Sequence, residues 1–389
     1  MKIIIGSESF SPNISGVAVS TELLAHNLAC LPNTEVWVFA PSRTSKSSLD
    51  KNFNDFKVLR IRSIANPFRK GFRVAYLPQK LIFKYVKKIQ PDIIHLQDPT
   101  SICSSLKKAA KKFKIPVVVS NHFTLDYVLS YIQFLKFIHP QLKSFLKNYL
   151  VKFYNQCDYV ICPTETVKKE LKKWQVKTPI AAISNGVDLN HFFAFANLND
   201  IYLKYHLPMN PLVLYAGRID KDKNMSILIK AISEVVEQTQ AHFVFVGGGD
   251  VLSKIKKMAV KCKVEKEITW IDWVDRKLID LPKLYQAASL FVIPSVIETQ
   301  SLVTMEAMAS GLPVVGANAG ALPELIKDGV NGYLYRADSS SDLSQKIIKI
   351  IKNHNLRTKM GKKSLEIISN HQISESLAKI LKIYKQLTC

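Results

Sequence analysis

Acidic residues are scarce in this chain. Its 389 residues include 54 lysines and arginines against 31 aspartates and glutamates, a formal charge of +23. The deficit is concentrated, because residues 51–150 hold 19 basic and 4 acidic side chains, a surplus of 15. Cysteine is also sparse. Its six positions, Cys30, Cys103, Cys157, Cys162, Cys262 and Cys389, include no Cys-x-x-Cys pair and no Cys/His cluster at zinc spacing, so a reduced cytoplasmic protein without a structural metal is expected. No uncharged apolar stretch is long enough to span a bilayer. The opening Met-Lys-Ile-Ile-Ile-Gly6 is too short for a signal peptide and turns polar at once at Ser7. Repeats and low-complexity tracts are missing too, which points to an ordinary globular chain.

What is present within the basic half is a set of clusters interleaved with aromatics: FRKGFR at 68–73, KYVKKI at 84–89 and LKKAAKKFK at 106–114, with Tyr76 and Tyr85 among them. Such a pattern suits an anionic membrane surface. A positive field also draws nucleic acid, and lysines also decorate solvated helices. The membrane is preferred and nucleic acid is not expected.

The chain is longer than one core usually supports and is 47% hydrophobic, so two domains are expected. Apolar runs at Lys2 to Gly6, Glu35 to Ala40, Asp92 to Leu96, Val117 to Ser120, Tyr159 to Cys162 and Ile180 to Ile183 alternate with helical segments such as 17–31 and 78–90. That alternation predicts a doubly wound parallel sheet. A second set follows at Leu212 to Ala216, His242 to Val246, Ile268 to Ile271, Leu290 to Ile293 and Val314 to Gly316. The break falls within 190–210, giving an α/β organisation of residues 1–195 and 196–373. A final helix, about 374–389, is expected to pack back on the first domain.

The stretch IETQSLVTMEAMASGLPVV, 297–315, places Glu298 and Glu306 eight positions apart at a strand-to-helix junction. Ser289 to Pro294 reads as a buried strand, and a helix starts at about Ser301 and ends before Gly311. Ligands of open α/β sheets bind at this carboxyl edge, where a helix start favours phosphate and carboxylates accept sugar hydroxyls. A solvated helix residue and a first-turn dipole partner fit the two glutamates equally well.

Other turns fall on the same edges. GRIDKDKN offers Arg218 and Lys223, a planar fork and a point charge that suit a diphosphate or are simply solvated. VGGGD supplies Gly247, and SPNISGVAVST places Gly16 before a helix. VVVSNHFT places His122 at the end of a strand, where it could equally be satisfied by backbone.

Taken in order, Gly16, His122, ISNGVD (183–188), YAGRIDKDKN (215–224), VGGG (246–249) and ETQSLVTMEAMASGLPVV (298–315) resemble the retaining glycosyltransferases of family 4. The resemblance runs over nearly the whole chain. It implies the GT-B fold, two Rossmann-like domains facing across a cleft, and a nucleotide diphosphate sugar as donor, with no divalent metal or other cofactor. Arg218 and Lys223 would hold the diphosphate, Glu306 the ribose and Glu298 the transferred sugar. His122 would position the sugar or stabilise positive charge. Gly16, Gly247, Gln300, Ser301 and Leu302 would line the substrate site. Many members have Phe-Gly at Gln300-Ser301 and two glycines at Ser15-Gly16.

The Glu298-Thr-Gln300 wording and NHFTLDYVLSYI (121–132) look most like the branch that glycosylates diacylglycerol or phosphatidylinositol-type lipids. An α-hexosyltransferase using UDP-glucose, peripheral on the inner face of the membrane, is therefore expected. Transfer to a soluble or polysaccharide acceptor, a sugar-nucleotide epimerase and a non-enzymatic membrane binder are the alternatives.

Overall fold

The computed structural model describes all residues except 51, 67–70, 131–138, 193–196, 276–277 and 389. The chain divides into Met1–Asn185 with Ser374–Cys389, and Gly186–Ile373. The division lies just before the 190–210 break in the sequence pattern.

The first domain contains β1 (Lys2–Gly6), β2 (Glu35–Pro41), β3 (Ser48–Asp50), β4 (Lys57–Ile61), β5 (Ser63–Ala65), β6 (Arg73–Ala75), β7 (Ile93–Leu96), β8 (Val117–Ser120), β9 (Tyr159–Cys162) and β10 (Ile180–Ala182). Its main sheet runs β10-β9-β8-β7-β1-β2-β4-β3, and β5 and β6 form a separate hairpin. Every pair in the main sheet is parallel except β3 with β4. Ile3–Ile5 and Val117–Val119 are almost wholly buried, because helices cover both faces of a parallel sheet and leave no polar side. On one face Ile4, Ile94 and Val119 pack with Ile82, Val86 and Leu106. On the other, Ile3, Ile5 and Val118 pack with Leu24 and Leu28.

That second face is completed from the far end of the chain. The helix Ile373–Thr388 buries Leu377, Ile380, Ile383 and Tyr384, a stripe at helical spacing. Inside the sheet, the buried His95 imidazole hydrogen-bonds the Tyr384 hydroxyl through Nδ1 and Ser120 Oγ through Nε2 at 2.8 Å. Burial lowers its pKa to about 3, so the ring is neutral.

The second domain contains β11 (Leu212–Ala216), β12 (His242–Val246), β13 (Ile268–Ile271), β14 (Leu290–Ile293), β15 (Val314–Ala317) and β16 (Gly332–Tyr335). They form one sheet, β13-β12-β11-β14-β15-β16, parallel throughout. Strand order reverses between β11 and β14. The loops that leave those two strands therefore diverge around a crevice at their carboxyl ends, which is where such sheets take ligands. The architecture is α/β with two Rossmann-like domains.

Candidate active site

Strand β11 ends at Ala216 and hands the chain to Gly217 and Arg218. Gly217 has φ +137 and Gly247 φ +126, a region that side chains with a Cβ avoid, and a Cβ on Gly247 would stand 2.2 Å from the Gly217 carbonyl oxygen. The loops after β11 and β12 are thus laid one on the other. Gly217 N donates to Val246 O at 2.9 Å and Ile219 N to Gly248 O at 2.8 Å. The Tyr215 hydroxyl donates to Arg218 O at 2.5 Å, fixing the loop from beneath. Gly247 therefore acts first on the backbone that presents Arg218.

Both cations of that loop stand among acids. Arg218 pairs with Asp220, and its other terminal nitrogen lies 3.9 Å from Asp222 Oδ2. Lys223 Nζ lies 2.7 Å from Glu298 Oε1, 3.4 Å from Asp222 Oδ2 and 3.4 Å from Ser295 Oγ. Burial alone would lower the Lys223 pKa, but the charges of Glu298 and Asp222 outweigh it and raise the value, so the ammonium stays charged. Asp220 also accepts from Asp250 N at 2.9 Å.

Glu298 comes from the other side of the strand reversal, on the loop between β14 and the helix Leu302–Ala309. Its backbone is clamped, since Ala321 N donates to Glu298 O at 3.0 Å and a Cβ on Gly320 (φ +55) would meet that oxygen at 2.8 Å. Ser301 caps the helix through a side chain that accepts from Thr304 N at 3.3 Å, with Gln300 and Ser301 both buried and Leu302 half-buried. Glu306, one turn further on, is 1% exposed and accepts from the Tyr285 hydroxyl at 2.9 Å. Of the residues named from the sequence, the second domain thus brings Arg218, Lys223 and Glu298 into one cluster, which Ser295 joins, with Ser301, Leu302 and Glu306 on the adjoining helix.

In the first domain His122 follows β8. Its Nε2 hydrogen-bonds Gln97 Oε1 at 2.9 Å, and burial lowers its pKa to about 4. Gly16 is the first residue of the helix Gly16–Ala29, capped by Ser15 Oγ, which accepts from Ala18 N at 3.1 Å. A Cβ there would meet no atom within 4 Å among the described residues, so the packing of this domain does not demand a glycine.

Two acids that the sequence reading passed over lie at the same edge. Glu8 is fixed by donors from Ala75 N, by Thr100 Oγ1 at 2.7 Å and by Ile102 N at 3.2 Å, and its own N–H donates to Asp98 Oδ2 at 2.6 Å. Burial raises both carboxyl pKa values, and the Asp98 charge adds to the rise at Glu8. Glu8 thereby ties β6 and the start of the helix Ser101–Phe113 to β1.

Residues 14–191 match the family model described as Glycosyltransferase Family 4, and residues 204–366 match that of Glycosyl transferases group 1. The alpha-monoglucosyldiacylglycerol synthase of Streptococcus pneumoniae is 28% identical over 358 residues, covering 90% of this chain and 78% of that one. The enzyme of the same name from Acholeplasma laidlawii is 26% identical over 389 residues, covering 97% of this chain and 95% of its own. Among solved structures, Anabaena Alr3699/HepE in complex with UDP and glucose superposes with a TM-score of 0.79 at 20% identity, covering 99% of this chain and 100% of that one.

Proposed function

From its membership of the family 4 glycosyltransferases, to which the chain belongs, we propose that it moves a hexose from a nucleoside diphosphate sugar, UDP-glucose first, to a membrane lipid such as diacylglycerol. The observation that carries the reading is the 2.7 Å pair of Lys223 and Glu298 across the strand reversal, with Arg218 on the same loop as Lys223. Support for the donor comes from the UDP and glucose held by the Anabaena protein. Support for the acceptor comes from the names of the two bacterial relatives.

In this mechanism the diphosphate takes up Arg218 and Lys223, Glu298 receives hydroxyls of the sugar and Glu306 the ribose. The acceptor hydroxyl oxygen bonds to the anomeric carbon as that carbon's bond to the β-phosphate oxygen breaks. The electron pair leaves with the diphosphate, which takes the hydroxyl proton. Attack on the leaving-group face retains configuration. The two cations stabilise the negative charge as it develops, the term on which such transfers most depend, and the reaction is proposed to run without a divalent metal. His122, neutral at working pH, is proposed to position the sugar or to stabilise developing positive charge.

The surplus charge is proposed to hold the protein peripherally on the inner face of an anionic membrane. No helix among the described residues is long and apolar enough to cross one. The helix Gln79–Ile89 exposes Lys80, Lys84, Lys87 and Lys88, and the helix Ser101–Phe113 exposes Lys108, Lys111 and Lys112. Each contributes about 1 kcal/mol near such a surface. Arg69 and Lys70, in the FRKGFR cluster, lie outside the described residues. Arg73 of that cluster is spent inside the fold, donating to Ser63 Oγ and Ser63 O at 2.7 Å.

The deciding experiment incubates a panel of sugar nucleotides with and without lipid extract, follows nucleoside diphosphate release and identifies products by mass spectrometry. A hexosyl lipid is expected. Release stimulated only by soluble glycans would move the acceptor, and an inverted sugar formed without acceptor would replace transfer by epimerisation.

A further inference from the structure

At the carboxyl end of β4 the first domain carries a groove of about 350 Å³ lined by Ser47, Ile61, Arg62, Leu77, Pro78, Lys80, Leu81 and Lys84. None of these residues is acidic, and three are cations. We propose that this groove is a discrete binding site for the phosphate headgroup of an anionic phospholipid, with Arg62, Lys80 and Lys84 on the phosphate and the apolar rim toward the acyl region.

Three features of the fold favour an anion here. Lys80 and Lys84 stand one helical turn apart, a like-charge pair that destabilises a helix. Lys80 also sits in the first turn of the helix Gln79–Ile89, where the dipole disfavours a cation; that turn holds no acid, and Pro78 gives no side-chain cap. The third cation is held in place, because Arg62 Nε donates to Tyr76 O at 3.2 Å while its guanidinium lies 5.5 Å from the Tyr76 ring centroid. A bound phosphate offsets the repulsion among all three and meets the positive end of the helix.

The rim selects a lipid over a free anion. Tyr76 is 51% exposed, Leu77 63% and the neighbouring Ile64 54%, large apolar groups beside a cationic pocket. A soluble phosphate gains nothing from them, whereas the boundary between headgroups and acyl chains receives aromatic, aliphatic and basic side chains together. Leu77 adopts φ +44, a conformation that costs a leucine energy and that directs the chain into the helix at this rim.

This inference rests on the membrane reading above and specifies it, replacing a diffuse positive field by a saturable site. The test titrates a short-chain phosphatidylglycerol, kept below its micelle concentration, into wild type, R62Q/K80Q/K84Q, K80Q/K84Q and the charge-matched K108Q/K111Q/K112Q, all checked by circular dichroism. The same set is then co-sedimented with vesicles of phosphatidylglycerol and phosphatidylcholine. Saturable binding of the lipid monomer by wild type, weakened at least about tenfold in both groove variants and little changed in the charge-matched one, is expected, while vesicle binding falls in all three. Equal weakening of monomer binding in all the variants would overturn the pocket and leave the membrane reading standing. Competition by inorganic phosphate as effective as that of the lipid would overturn the lipid as occupant. Groove-dependent binding of lipid monomers by a protein that ignores vesicles would uphold the pocket and overturn the membrane reading.

Discussion

Lys223 Nζ and Glu298 Oε1 lie 2.7 Å apart although they leave different strands, β11 and β14, on either side of the reversal in strand order. The lysine proposed to hold the diphosphate is therefore paired with the carboxylate proposed to read the sugar, and a donor bound at both would share or exchange that partner.

Replacing either cation follows from this arrangement. Arg218→Ala and Lys223→Ala should each lower kcat by an amount corresponding to about 2–4 kcal/mol of lost transition-state stabilisation, with the circular dichroism spectrum unchanged. Single-turnover rates on purified variants check it, and wild-type turnover in either one would remove that residue from the diphosphate.

The two glutamates should separate by calorimetry with free UDP. Glu306→Ala is expected to weaken UDP binding, while Glu298→Ala leaves it nearly intact and damages transfer. Because Glu306 accepts the buried Tyr285 hydroxyl, its removal also costs stability on the order of 1–3 kcal/mol. Tyr285→Phe alongside isolates that part. Similar loss of UDP affinity in both glutamate variants would contradict the assignment.

Chelation tests the metal. Exhaustive dialysis against EDTA, followed by assay in metal-free buffer, should leave initial rates unchanged, since Arg218 and Lys223 are proposed to balance the diphosphate. Loss of activity restored by magnesium or manganese would assign part of that task to a cation.

The histidines give a pH dependence. His95 and His122 have folded pKa values lowered to about 3 and about 4 by burial, against 6.5 when exposed. Below pH 6.5 the unfolded chain takes up protons that the folded chain refuses, so stability is full above that pH and falls as pH drops toward 4. Glu8 and Asp98, with raised values, act in the opposite sense and lose stability as pH rises from their ordinary range through the raised one. Thermal melts should show a shallower acid-side fall in His95→Asn than in wild type, and Glu8→Gln should flatten the fall toward higher pH. NMR signals assigned to His95 and His122 that titrate near 6.5 in the folded protein would refute the first half.

Strands made of short, largely apolar runs were legible in the sequence. β1, β8, β9, β11, β12, β13 and β14 begin and end where the apolar runs do. Those that were missed lack such a run. β4 is Lys-Val-Leu-Arg-Ile, with basic residues at alternate depths; β3, β5 and β6 have three residues each, and β16 is a Gly-Tyr-Leu-Tyr segment. The residues proposed for the donor site form a motif in the sequence, but the acids Asp220 and Asp222 beside Arg218 do not stand out, because the same letters suit any solvated turn. Glu8 and Asp98 carry no local signal at all. Their signal is in the register: Gly6 pairs with Leu96, and each acid follows its strand by two residues.

The hydrogen bond between His95 and Tyr384 spans 289 positions, and it sets an order of events during synthesis. The first domain is translated first but lacks Leu377, Ile380, Ile383 and Tyr384 until the whole of Gly186–Ile373 has been made. The intervening domain has no such debt and closes its core from contiguous chain. On the ribosome, then, the segment made second is the first able to finish, while the face of Ile3, Ile5 and Val118, covered in part by Leu24 and Leu28, waits for the rest of its cover, an interval in which a nascent chain is open to aggregation and to chaperones. A stop codon just before Leu377 would accordingly injure the domain built from Met1–Asn185.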